Sequence, residues 1–99
     1  MNITINAVRF RADEKLESFI TEKVGKLETF YEGLLGSEVT LRVDAREKPD
    51  NKIAEIRLLI PGYDLYAKKQ SDTFEEAADI AVEALRRQLK KHKEKINGR

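Results

Sequence analysis

The stretch EVTLRVDAREKPDNKIAEIRLLIPGYDLYAKKQ, residues 38–70, decides the fold because apolar and polar side chains alternate along it. Alternation with a period of two is typical of a strand with one buried face. Two polar segments rich in turn-forming residues divide the stretch, so successive strands are expected to pair as antiparallel hairpins. The predicted strands are residues 38–44, 53–60 and 65–70.

The sequence before this stretch predicts one more strand and a helix. NITINAV, residues 2–8, alternates in the same way, whereas residues 13–31 have helical spacing. Asp13 is a suitable N-cap, since its carboxylate can accept the free amide hydrogens of the first turn. Gly25 falls inside this predicted helix, where we attribute it to tight packing. The apolar face of the helix consists of Leu16, Phe19, Ile20, Val24, Leu27 and Tyr31.

A second helix is predicted after the last strand, beginning near the capping pair Thr73 and Glu76. The predicted order is therefore β-α-β-β-β-α, an α+β fold. A strand, a helix and a strand in succession favour a parallel pair with a right-handed crossover. We expect a mixed four-stranded sheet with both helices packed on one face and the other face in solvent. The apolar stripe of the last helix consists of Phe74, Ala78, Ala81, Leu85, Leu89 and Ile96.

Composition narrows the class of protein. A chain of 99 residues can bury one modest core, so we predict a single domain spanning residues 1–99. The absence of cysteine excludes disulfides and a thiolate metal site. No apolar run approaches the ~20 residues that span a bilayer, and residues 1–10 lack the features of a secretory signal. We therefore expect a cytoplasmic protein.

Charge is sorted along the sequence. Residues 1–85 carry 12 basic and 17 acidic side chains, whereas residues 86–99 carry 7 basic and 1 acidic. One or two cations suit the end of a helix, but the six between residues 86 and 96 exceed that number and repel one another. A nucleic-acid backbone would relieve the repulsion. A membrane is disfavoured, because the narrow apolar stripe is needed by the core.

Helical spacing arranges these six cations as two rows, one on each flank of the helix. His92, the sole histidine, has no partner for a metal site and no predicted nucleophile beside it, so we interpret it as a packing residue able to touch phosphate. No glycine-rich phosphate loop is present. The sequence thus predicts a binding protein without enzymatic activity, metal or cofactor. The rows are Arg86, Lys90 and Lys93, and Arg87, Lys91 and Lys95.

Three segments resemble the short ribosome hibernation-promoting factors, also called the ribosome-associated inhibitor or sigma-factor modulation family. Residues 2–8 are similar to the family's opening NIT strand, and FITEKVGKLETFY, residues 19–31, to its helix that ends in KLE. ALRRQLKKHKEKI, residues 84–96, resembles the family's L-x-RQL-x-KHK-x-K helix, the most specific match. TFEEAAD, residues 73–79, departs from the family's usual DMYAAID, with Glu75 in place of the tyrosine.

The resemblance implies a fold akin to double-stranded RNA-binding domains and a role in ribosome hibernation during bacterial stationary phase or stress. The expected partner is the small ribosomal subunit with its rRNA, bound near the decoding channel so that mRNA and tRNA are occluded and translation is silenced. These residues include neither an acidic tail nor a dimerisation domain, which leaves both ribosome dimers and inactive single ribosomes open. A general structured-RNA-binding domain and a protein-interaction module for an acidic partner are the alternatives. The resemblance implies rRNA contacts at Lys23, Lys26, Arg87, Lys91, His92 and Lys95, to which helix geometry adds Arg86, Lys90 and Lys93.

Overall fold

The computed structural model describes residues 1–46 and 48–97, with side chains as far as Lys95. The described residues form a four-stranded sheet, two long helices and one short helix. The short helix, α2, is an addition to the predicted order. The elements are β1 Asn2–Ala7, α1 Glu14–Gly25, α2 Leu27–Phe30, β2 Gly36–Val43, β3 Lys52–Ile60, β4 Tyr63–Ser71 and α3 Phe74–Asn97.

The sheet has the strand order β1-β2-β3-β4. β1 and β2 are parallel, and the two remaining pairs are antiparallel, so the predicted mixed sheet is confirmed. The β3–β4 hairpin turns through Pro61 and Gly62, and Ile60 pairs with Tyr63 across that turn. Gly62 has φ 97°, a conformation that favours glycine, which explains why this residue type stands at the turn.

One face of the sheet packs against α1 and α3 and encloses the core, as predicted. The opposite face carries charged side chains that pair across strands. Arg42 pairs with Glu55, and the Arg57 guanidinium lies 3.4 Å from Asp64. These pairs neutralise much of the charge on that face. The largest fully buried apolar side chains are Ile20, Val24, Leu27, Val39, Leu41, Ile56, Leu58, Leu85 and Leu89.

The first predicted helix is divided into two. Asp13 caps it as expected, because its Oδ1 accepts the backbone N–H of Leu16 at 2.9 Å. α1 then ends at Gly25, and α2 begins at Leu27. The predicted tight packing around Gly25 is wrong, since a Cβ at this position would meet open space. Low helix propensity is the remaining physical reason for the helix to end there.

The second predicted helix is α3, which is 24 residues and therefore about 36 Å long. The Thr73 hydroxyl accepts the backbone N–H of Glu76 at 3.0 Å, as the capping pattern predicted. Five of its described side chains are completely buried: Ala77, Ala78, Ala81, Leu85 and Leu89. The side chain of Ile96, the last predicted member of the stripe, lies outside the described residues. Within the described chain, no helix is long and apolar enough to cross a membrane.

Candidate nucleic-acid interface

The predicted basic residues come together on the second part of α3. We call residues 74–85 the acidic half of α3 and residues 86–95 its basic half. Leu85 and Leu89 are fully buried, so they fix the rotation of the helix and direct the two predicted rows to opposite flanks. Every Lys and Arg of the basic half is exposed, and His92 is half-buried.

One row contacts the protein itself, and we call it the engaged flank: Arg86, Lys90 and Lys93. The Arg86 guanidinium donates to both carboxylate oxygens of Glu83 at 3.1–3.2 Å. This contact holds the pKa of Glu83 below its usual range. The Lys93 ammonium donates to the Phe30 carbonyl at 3.2 Å and lies 5.1 Å from the centre of the Phe30 ring. Two of the three cations therefore already have partners.

The other row, which we call the free flank, consists of Arg87, Lys91 and Lys95. None of the three forms an ion pair with a residue that the structure describes. Their spacing of four residues repeats the positive charge about every 6 Å along the helix. Lys91 and Lys95 lie toward β4, beside Tyr63 and Leu65. The free flank can therefore offer all its donors to an external anion.

His92 lies between the two flanks and is packed by two tyrosines. Tyr31 was predicted on the apolar face of the first helix, whereas Tyr63 was not singled out. Its ring meets those of Tyr31 and Tyr63 edge-on, with centroids 5.4 and 5.2 Å apart. The Tyr63 hydroxyl hydrogen-bonds to His92 Nδ1. The described residues contain no cluster of three His, Cys, Asp or Glu able to hold a metal ion. The contacts with Tyr31 and Tyr63 confirm that the His92 ring is packed, whereas its contact with phosphate stays a prediction.

The two lysines of the first predicted helix have different surroundings. The Lys23 ammonium lies 3.4 Å from the Asp79 carboxylate, on the acidic half of α3. It also lies 5.5 Å from the centre of the Phe19 ring. Lys26 is exposed, at the residue that follows α1. Lys23 therefore contributes less free positive charge than the basic half does.

Comparison with known proteins identifies the family. The sequence pattern of the family described as sigma 54 modulation protein / S30EA ribosomal protein matches residues 3–97. The chain belongs to this family. The match includes the whole basic half and confirms the resemblance to the family.

Named relatives of the family align with nearly the whole chain. The ribosome hibernation promoting factor of Pseudomonas putida KT2440 is 30% identical over 95 residues, which cover 96% of this chain and 89% of the relative. That of Escherichia coli K12 is 32% identical over 96 residues, covering 97% and 95%. The crystal structure of the Thermus thermophilus Protein Y N-terminal domain has the same fold, with a TM-score of 0.80 at 22% identity, over 93% of this chain and 99% of that one.

Proposed function

We propose that this protein is a ribosome hibernation factor whose α3 binds the rRNA of the small ribosomal subunit near the decoding channel. Membership of the family and the names of the aligned relatives support the hibernation role. The observation that carries the binding mode is the free flank, three exposed cations in a row without an internal carboxylate partner among the described residues. A phosphate backbone supplies the missing negative charge at a comparable repeat.

The proposed rRNA-contact residues fall into three groups, according to whether their side chains already contact other residues of the protein. The free flank and His92 form the primary contact, because the cations have no competing partner and the ring is held in place. The engaged flank is secondary, since an rRNA phosphate must compete with Glu83 and with the Phe30 carbonyl. Lys23 and Lys26 form the periphery. Phosphate contacts set affinity and register, and the fit to folded rRNA sets specificity.

The mechanism is steric occlusion without chemistry. A domain spanning residues 1–99 sits in the channel that mRNA and tRNA need, and translation stops while it is bound. Under this mechanism the protein is cytoplasmic, acts in stationary phase and stress, and uses no small-molecule substrate, metal or cofactor. Either inactive single ribosomes or ribosome dimers fit this mechanism.

The first experiment is co-sedimentation with purified ribosomes and separated subunits at ~50 and ~200 mM salt. About six phosphate contacts predict a loss of affinity of roughly a thousandfold across that range. The test variant combines Arg87→Glu, Lys91→Glu and Lys95→Glu. A matched control makes the same change of charge away from α3, at three exposed sites: Arg9→Glu, Lys15→Glu and Lys48→Glu.

The proposal predicts that the native protein and the control pellet with small subunits, whereas the test variant stays in the supernatant while folded. Filling the channel with mRNA and tRNA should release the native protein. Equal binding to isolated duplex RNA and to subunits would instead indicate a general RNA-binding domain. No binding to ribosomes even at ~50 mM salt would overturn the proposal and direct the search to an acidic protein partner.

A further inference from the structure

A shallow groove runs between β4 and the free flank of α3. Its volume is about 240 Å³. The Tyr63 ring and Leu65 give it apolar walls, and Lys91 and Lys95 give it a positive rim. The groove is lined by Tyr63, Leu65, Gln88, Lys91, His92 and Lys95.

The groove is held by contacts that do not depend on a ligand. Tyr63 follows the Pro61–Gly62 turn, and its ring is fixed by the edge-on contact and the hydroxyl hydrogen bond to His92. Gln88 donates from Nε2 to the Tyr66 carbonyl at 2.9 Å, which ties α3 to β4 at the groove. Nonetheless 49% of Tyr63 is exposed to solvent. A fixed ring with an open surface is suited to stacking.

We infer that this groove binds one unpaired RNA base, which stacks on Tyr63 while Lys91 and Lys95 hold the neighbouring phosphates. Bases within a duplex are already stacked and present only their edges, so a free tyrosine face selects single-stranded nucleotides. A basic groove beside an aromatic ring is the usual arrangement for binding single strands. The inference rests on the proposed function and adds to it the ligand class: a single-stranded or extruded nucleotide.

Charge and shape together favour a nucleotide over an acidic peptide. A peptide carboxylate could neutralise Lys91 or Lys95, but it would leave the apolar Tyr63 and Leu65 walls uncovered. A nucleotide carries both the flat apolar surface and the anion, and so matches both parts of the groove.

The test measures binding of the protein, residues 1–99, to two labelled RNA hexamers by fluorescence anisotropy at low salt. One hexamer is oligouridine, and the other is an abasic strand with the same number of phosphates. Tyr63→Ala removes the stacking ring, and Tyr63→Phe keeps the ring but loses the hydroxyl. Tyr63→Leu keeps apolar bulk without an aromatic face. Thermal unfolding of each variant verifies that it is folded.

The inference predicts that the native protein prefers oligouridine to the abasic strand. Tyr63→Ala and Tyr63→Leu should weaken oligouridine binding by about fivefold or more and leave abasic binding unchanged. Tyr63→Phe should retain most of the preference. Equal native affinity for the two hexamers, or an equal loss on both in Tyr63→Ala, would overturn the inference. Tight binding of a polyglutamate peptide with no preference for bases would also overturn it.

The ribosome experiment separates this inference from the proposed function. If the native protein and Tyr63→Ala pellet equally with small subunits and the hexamers are not distinguished, the groove assignment fails and the hibernation proposal stands. If the protein ignores ribosomes but prefers oligouridine through Tyr63, the groove assignment stands and the hibernation proposal fails.

Discussion

The acidic half of α3 completely buries four side chains, Ala77, Ala78, Ala81 and Leu85, whereas the basic half buries only Leu89 among its described side chains. The acidic half thus lies flat on the sheet and closes the core. The basic half makes fewer apolar contacts, and its charges extend along two open flanks. One helix therefore supplies stability with its first half and exposes positive charge with its second.

This division explains how the protein tolerates repulsion among six neighbouring cations. Like charges four residues apart destabilise a helix by a few tenths of a kcal/mol per pair. The burial of Leu85 and Leu89 outweighs that cost, since a fully buried leucine contributes about 1.5–3 kcal/mol. The cations of the basic half still repel one another in the folded protein, and a bound polyanion would reduce that repulsion.

The largest expected effect is on stability, in the half of α3 that closes the core. Leu85→Ala should lower the free energy of unfolding by about 2–5 kcal/mol, because it leaves a cavity at the centre of the core. Lys91→Met in the basic half should change it by less than about 0.5 kcal/mol. Urea unfolding followed by circular dichroism measures both. A similar loss for the two variants would mean that the basic half also stabilises the fold.

Two matched substitutions, one on each flank, distinguish the free flank from the engaged flank. Lys91→Met and Lys93→Met each remove an ammonium group and keep the apolar stem. Lys91→Met should weaken small-subunit binding by roughly tenfold, since it removes a charge-assisted contact. Lys93→Met should mainly lower the free energy of unfolding, by roughly 1 kcal/mol, because the Phe30 carbonyl loses its donor.

Both properties of this pair must be measured on the same preparations, affinity by filter binding and stability by urea unfolding. An equal loss of affinity in the two variants would contradict the distinction between the free and the engaged flank. An unchanged stability in Lys93→Met would show that its contact with Phe30 contributes nothing to the fold.

The smallest expected effect is a gain in RNA affinity. Glu83→Gln removes the carboxylate that holds Arg86, so RNA affinity should rise by about twofold to fivefold. Lowering the pH should also raise RNA affinity. The pKa of Glu83 is lowered by Arg86, so their pairing is complete at neutral pH and is lost as pH falls through that lowered pKa. An NMR titration of Glu83 in the native protein and in Arg86→Gln measures the shift, and unchanged titration would contradict the pairing.

The sequence predicted the sheet well because the alternation in β2 and β3 allows one register. A slip by one residue would move Val39 and Ile56 to the solvent face. The sequence also predicted the two flanks of α3 correctly, because Leu85 and Leu89 define the core side of a regular helix. The sequence did not predict the break between α1 and α2, which follows the low-propensity Gly25.

The sequence did not show that one flank contacts the protein and the other does not, and it did not reveal the groove. Those features depend on which distant residues face α3, and periodicity carries no information about such contacts. Phe30 lies 63 positions from Lys93 and Tyr63 lies 29 from His92. The sequence placed Tyr63 in the turn before a strand predicted to begin at residue 65, whereas β4 begins at Tyr63. Only the packed structure shows that α3 lies beside this tyrosine.

The proposed anchor of this protein on rRNA is the free flank of α3. The most direct test measures small-subunit affinity from ~50 to ~200 mM salt for the native protein and two neutralised triple variants. One replaces Arg87, Lys91 and Lys95 with glutamine, and the other does the same to Arg86, Lys90 and Lys93. We predict that the first variant reduces the slope of log affinity against log salt by about 2–3, and the second by about 1. Equal reductions in the two variants, or none in the first, would contradict it.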